Sequence, residues 1–132
     1  MKTTQFSARN PAAIAAAPHR LSLDLSIERS ACMPMEGKGV YARWDGDENT
    51  LTFWTSTQTS TSARAAIAAR LGMALNKVHC IAPDVGGGFG TKGWQYVEHR
   101  LTLWAARKLL RPVKWTCERS EAVMADEHGR DN

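Results

Sequence analysis

Apolar and polar residues alternate along "HRLSLDLSIERS" (19–30), which puts Leu21, Leu23, Leu25 and Ile27 on one side. A period of two predicts a half-buried strand. The segments "GVYARWD" (39–45) and "TLTFWTST" (50–57) flank the turn residues "GDEN" (46–49) and predict an antiparallel hairpin. The period then lengthens. In "STSARAAIAARLG" (60–72) Ala63, Ala66, Ile67 and Leu71 share one helical face; Ser60 or Ser62 suits the N-cap, and Gly72 suits the position past the end. "KVHCIAP" (77–83) reads as a short buried strand. "WQYVEHRLTLWAARKLL" (94–110) predicts the strongest helix, with Trp94, Val97, Leu101, Trp104, Ala105 and Leu109 as its apolar stripe and Pro112 as its stop. "VKWTCER" (113–119) adds a strand and "SEAVMA" (120–125) a helical turn. The order predicts an α/β two-layer sandwich: a mixed sheet of about four to five strands with two main helices. Residues 1–18 read as a loosely ordered lead-in to a domain over 19–132.

Composition narrows the class. A chain of 132 residues suits one domain with a real core, and 43% hydrophobic with 23% charged residues is the balance of a soluble globular protein. No apolar run is long enough to span a membrane. "NPAAIAAAP" (10–18) is short, flanked by prolines and preceded by no basic segment, so it does not read as a signal peptide. The net charge of +4 comes from scattered residues and does not point to nucleic acid. Cys32, Cys80 and Cys117 form no C-x-x-C pair, which argues against a disulfide framework or zinc site. Cys80 and Cys117 read as buried core thiols in a reducing cytoplasm. His19, His79, His99 and His128 lack metal-ligand spacing, so no metal ligand is expected.

The candidate chemistry lies in "DVGGGFGTKG" (84–93), where Gly86, Gly87, Gly88 and Gly90 surround Phe89 and Lys92 follows. A loop between strand and helix turns backbone N–H groups toward an anion. Known phosphate loops do not match. Thr91 precedes Lys92 and Gly93 follows it, unlike a Walker A loop; G-x-G-x-x-G fails at Thr91 when counted from Gly86. Two readings remain: a turn needing positive φ, or a pinned loop whose main chain approaches a ligand. Phe89, a large apolar side chain inside the run, favours the second.

Four blocks in unbroken order over 19–132 resemble the molybdenum-binding large subunit of the molybdenum hydroxylases, the family of xanthine dehydrogenase, aldehyde oxidase and aerobic carbon monoxide dehydrogenase. They are "MPMEGKG" (33–39), "LTFWTSTQ" (51–58), "APDVGGGFGTKG" (82–93) and "RPVKWTCERSEAVMADEHGRDN" (111–132). The resemblance implies that Gln58 is the catalytic-site glutamine that hydrogen-bonds an oxo ligand of the molybdenum. It implies that Gly86, Gly87, Gly88, Phe89 and Gly90 form the pterin-cofactor loop, with the amides of Phe89 and Gly90 against the cofactor. Lys92 is open to two roles, offsetting phosphate charge or standing in solvent. Glu36 is expected to be structural, paired with Arg43 or Arg20; Arg119, His128 and Arg130 are expected to stabilise the fold. Gly93 departs from the purine-oxidising members, which carry a substrate-binding glutamate there, and this weakens a purine substrate.

The family's catalytic base, second cofactor domain and iron–sulfur and flavin groups have no counterpart here. The chain therefore reads as a fragment of a larger oxidoreductase subunit, inactive alone and expected to lack molybdopterin unless the parent is complete. Implied partners are the remainder of the subunit, the iron–sulfur and flavin subunits or domains, and a homo-oligomer of the fragment formed through exposed interface surface such as Trp94. Two rival readings are a stand-alone cofactor-binding module without chemistry and a plain anion- or nucleotide-binding α/β domain.

Overall fold

The computed structural model describes residues 11–128, so the expectations for residues 1–10 and for Arg130 lie outside the described residues. Two units divide the chain: one runs to Ala31 and resumes at His128, and the other is Cys32–Glu127. In the first, Pro11–Ala16 forms a short helix, α1, with no buried residue. The strand expected over 19–30 does not form. The stretch holds only an isolated bridge at Ser30, and Leu21, Leu23, Leu25 and Ile27 are all exposed. Alternation marks a face that favours cover, but a strand also needs a neighbour for its N–H and C=O groups. The sheet of the other unit is complete without this stretch.

In Cys32–Glu127, β1 (Gly39–Asp45) and β2 (Thr50–Thr55) pair antiparallel, from Val40 opposite Thr55 to Asp45 opposite Thr50. Asp45 closes the turn: its Oδ1 accepts the N–H groups of Asp47 and Glu48, both at 3.1 Å. Asn49 takes φ 52°, a left-handed conformation that Asn tolerates. α2 (Ser60–Leu71) then crosses to β3 (Val78–Ile81), which runs parallel to β2 with Leu51 opposite Val78. Parallel neighbours require such a crossover. α3 (Val97–Leu109) leads to β4 (Val113–Thr116), antiparallel to β1, and α4 (Arg119–Ala125) follows. The strand order is β3-β2-β1-β4, a mixed four-stranded sheet with helices, as the α/β two-layer reading requires.

The core forms where the inward residues of the hairpin meet the helices. Val40, Ala42, Leu51 and Phe53 cluster with Val78, with Ala63, Ile67 and Ala68 of α2, and with Leu103 and Ala106 of α3. Gly72 caps α2 as predicted, at φ 61°. The N-cap, however, is Thr59 rather than Ser60 or Ser62, and its hydroxyl does not cap the helix.

α3 starts three residues later than predicted and turns the other way. Its buried residues are His99, Thr102, Leu103 and Ala106, whereas Trp94, Val97, Leu101, Trp104 and Leu109 are exposed. Two of these four inward side chains, His99 and Thr102, are polar. The polar ones then need partners: Thr102 Oγ1 donates to Glu98 O at 2.7 Å, but His99 Nδ1 is buried without one. Burial, with the Lys38 charge adding to it, pushes the His99 pKa from 6.5 down to about 4. The unfolded chain therefore takes up a proton first as pH falls through this window. Stability is expected to hold above pH 6.5 and to decline from there toward pH 4, read as a falling urea midpoint. His99→Gln should flatten that decline; an equal slope in the variant would remove His99 as its source.

Candidate functional site

The glycine loop leaves β3 after Ile81 and reaches α3 at Val97. Three of its residues take left-handed φ: Gly87 at 92°, Phe89 at 50° and Gly90 at 98°. Phe89 is the costly one, because its Cβ disfavours this region. Its conformation needs outside support, and the flanking contacts supply it. The Gly88 carbonyl accepts both the N–H and the hydroxyl of buried Thr91, at 3.0 and 2.9 Å, and Gly90 O accepts the Gly93 N–H at 3.1 Å. The Phe89 carbonyl accepts the Cys32 thiol at 3.2 Å, while the Phe89 ring stays 70% exposed.

The segment after β2 holds the exit of the loop. Gln58 N–H and Thr57 Oγ1 both donate to Lys92 O at 3.1 Å, and Thr59 Oγ1 donates to Gly93 O at 3.1 Å. This explains the diverted N-cap: the Thr59 hydroxyl is spent on the loop instead of on α2. Gln58 itself turns to the middle of the loop, where its Oε1 accepts the Gly90 N–H at 3.0 Å. An N–H donor must face the amide oxygen, so Nε2 points away, its donors unused among the described residues, and Gln58 is exposed. Gly88 lies flat against this amide. A Cβ built there would fall 2.5 Å from both Cδ and Oε1 of Gln58, far inside contact distance. Among the described residues, the N–H groups of Gly87, Gly88 and Phe89 donate to no acceptor. The structure thus brings Gln58 and the 86–90 loop together.

Lys92 does not stand in solvent. It is 2% exposed, and its Nζ pairs with Glu36 Oε2 at 2.7 Å. Glu36 accordingly pairs with Lys92, not with Arg43 or Arg20. Burial works to raise the Glu36 pKa, but the Lys92 ammonium and the Gly86 N–H outweigh it and hold the carboxyl below its ordinary value. Arg119 stabilises the fold as expected, donating to Pro34 O at 2.6 Å and Met35 O at 3.0 Å. The thiols of Cys80 and Cys117 are partly buried rather than enclosed, and burial pushes Cys80 up to about 11. Among the described residues no three His, Cys, Asp or Glu side chains converge as a metal site. A cavity of about 430 Å³ between Tyr41, Trp54, Lys114 and Cys117 touches none of the loop glycines.

The family described as molybdopterin cofactor-binding domain matches residues 3–132. The chain belongs to that family. This molybdopterin-binding domain is 34% identical over 87% of its length to the nicotine 6-hydroxylase large subunit of Paenarthrobacter nicotinovorans, of which it covers 14%. It is 32% identical over 94% of its length to the carbon monoxide dehydrogenase large chain of Hydrogenophaga pseudoflava, covering 15% of that protein. Its fold superposes on quinoline 2-oxidoreductase from Pseudomonas putida 86 with a TM-score of 0.79 and 32% identity, over 89% of this chain and 15% of that one. The domain therefore spans about a seventh of the relatives it matches.

Two contacts in the molybdopterin-binding domain escaped the sequence reading. One is the clasp of Glu36 and Lys92. The other is an ion pair between Lys38 and Asp126, both buried, with the Lys38 ammonium 3.5 Å from the centroid of the Tyr96 ring. Each joins residues far apart in the chain, so no local pattern exposes it. The only signal was a charged residue beside glycine in "MEGKG" and "GTKG".

Proposed function

We propose that the chain forms one wall of the molybdopterin site in the large subunit of a molybdenum hydroxylase-type oxidoreductase. The carrying observation is the row of donors at the loop unused among the described residues: the N–H groups of Gly87, Gly88 and Phe89, beside the amide donors of Gln58. Such a row suits an anionic ligand rich in oxygen acceptors, and the bare Gly88 backbone lets the Gln58 amide lie beside it. The cofactor, when bound, supplies the electron acceptor and the oxygen-transfer chemistry. Of the five loop residues expected against the cofactor, Gly87, Gly88 and Phe89 would hold it through their open N–H groups, while Gly86 and Gly90, whose N–H groups are taken by Glu36 and Gln58, would keep the loop in shape. Gln58 orients the cofactor by donating Nε2–H bonds while Oε1 stays tied to Gly90, so the amide adds direction without charge.

The substrate is a small C–H or carbonyl compound, and Gly93 in place of an acidic residue speaks against purines. The partners are the remainder of the large subunit and the iron–sulfur and flavin modules that carry electrons away. The exposed stripe of Trp94, Val97, Leu101 and Trp104 is suited to cover by such a partner. In a host that makes molybdopterin, the complete subunit should carry molybdenum and pterin in equal amounts, and the isolated 132-residue chain neither. A complete subunit free of both would overturn the assignment, and an isolated chain that retains both would overturn the shared pocket.

A further inference from the structure

Glu36 stands 50 residues before Gly86 yet grips it from both sides of the main chain. Glu36 Oε2 accepts the Gly86 N–H at 2.8 Å, and Glu36 N–H donates to Gly86 O at 3.2 Å. The same Oε2 accepts the Lys92 ammonium at 2.7 Å. One carboxylate oxygen therefore ties the first glycine of the loop to the lysine beyond the last. The fit at the first end is tight, since a Cβ on Gly86 would lie 2.6 Å from Glu36 Cβ. At the second end the Lys92 side chain is fully buried, so its charge has no water to turn to and must pair. Glu36 is itself held from behind: Arg119 takes the carbonyls of Pro34 and Met35, the two residues before it.

We propose that Glu36 is a positioning residue that closes the glycine loop into its ligand-ready shape before any ligand arrives. A run of glycines samples many conformations, and each one that must be lost on binding weakens the complex. Joining residues 86 and 92 removes most of that freedom in advance. Gly90 can then meet Gln58, and Phe89 can hold its left-handed turn. The role in ligand binding rests on the molybdopterin reading of the loop; the closure itself does not.

The test is amide hydrogen exchange on the full chain without cofactor, comparing the unaltered chain, in which Glu36 holds both Gly86 and Lys92, with Glu36→Ala/Lys92→Met, in which neither end is held. The Lys92→Met change ensures that no orphaned buried ammonium confuses the result. Gly86 loses its acceptor directly and is uninformative. Gly90 and Thr91 keep their own acceptors, Gln58 Oε1 and Gly88 O, so only a change in loop shape can reach them. Their exchange is expected to quicken about tenfold in the double variant while the amides of β1 and β2 are unchanged. Acceleration confined to Gly86 would overturn the proposal. In the complete subunit the double variant should also retain about tenfold less pterin than the unaltered subunit; equal pterin with a loosened loop would overturn the role in binding. Pterin missing from the unaltered subunit would count against the molybdopterin reading, with the exchange result still deciding the closure.

Discussion

Gly88→Ala is expected to strip the complete subunit of most of its molybdopterin while leaving the fold in place. The added methyl would stand 2.5 Å from Cδ and Oε1 of Gln58 and 2.7 Å from its Cγ. Something must move, and the Gln58 side chain, exposed at the surface, is the softest partner. Swinging it outward removes one hydrogen bond, the one from Gly90 N–H, worth roughly 1 kcal/mol of stability. The cost to the site is larger. On the proposed reading, the amide that would orient the ligand is displaced and the loop amides lose their brace. Pterin content is expected to fall about tenfold or more, the equivalent of about 1.4 kcal/mol of binding. Fluorescence of the oxidised pterin released from purified protein measures this, with urea unfolding as the control. Full pterin content in the variant would remove the Gly88–Gln58 contact from the site.

Asp126→Ala is expected to cost the chain roughly 3–5 kcal/mol of unfolding free energy, because it leaves the Lys38 ammonium buried and unpaired. The side chains of Lys38 and Asp126 are only 4% and 5% exposed, so water cannot replace the lost carboxylate. The Tyr96 ring against Lys38 provides a weak substitute at best. A second change, Lys38→Met, should recover most of the loss by removing the stranded charge. Urea unfolding of the two variants checks both parts. A loss below about 1 kcal/mol for Asp126→Ala would mean that the ammonium finds another partner or reaches solvent. The pair joins the segment before β1 to the end of α4, and Arg119, at the start of α4, donates to the carbonyls of Pro34 and Met35 in the same segment. The 33–39 segment and α4 are thus tied to each other, and the loop clasp is mounted on that segment.

Much of the fold was legible in the chain. The hairpin followed from alternation around a turn whose Asp45 and Asn49 have local reasons to bend it. α2 followed from its period and from Gly72, the residue that best tolerates a left-handed cap. The candidate site was legible as a set, since Gln58 and the glycine loop belong to motifs that resemble a family, and the structure brings them within hydrogen-bonding distance. The failures share one cause. Alternation over 19–30 described a face without saying whether a neighbouring strand exists. The apolar stripe of α3 was real, but periodicity could not say which face the sheet takes, and the sheet takes the side with Leu103, Ala106, Thr102 and His99. Lys92 could pass for a surface lysine because its partner lies 56 residues away.

By itself, the sequence determined the local periods, the turns, the glycine run and the family, since each depends on neighbours along the chain or on a linear motif. The tertiary structure alone decided which faces are buried, which charges are paired and what holds the loop. Those depend on groups brought together from distant parts of the chain. Burial then makes the choice binding: a charge such as Lys92 or Lys38, once removed from water, must have its partner.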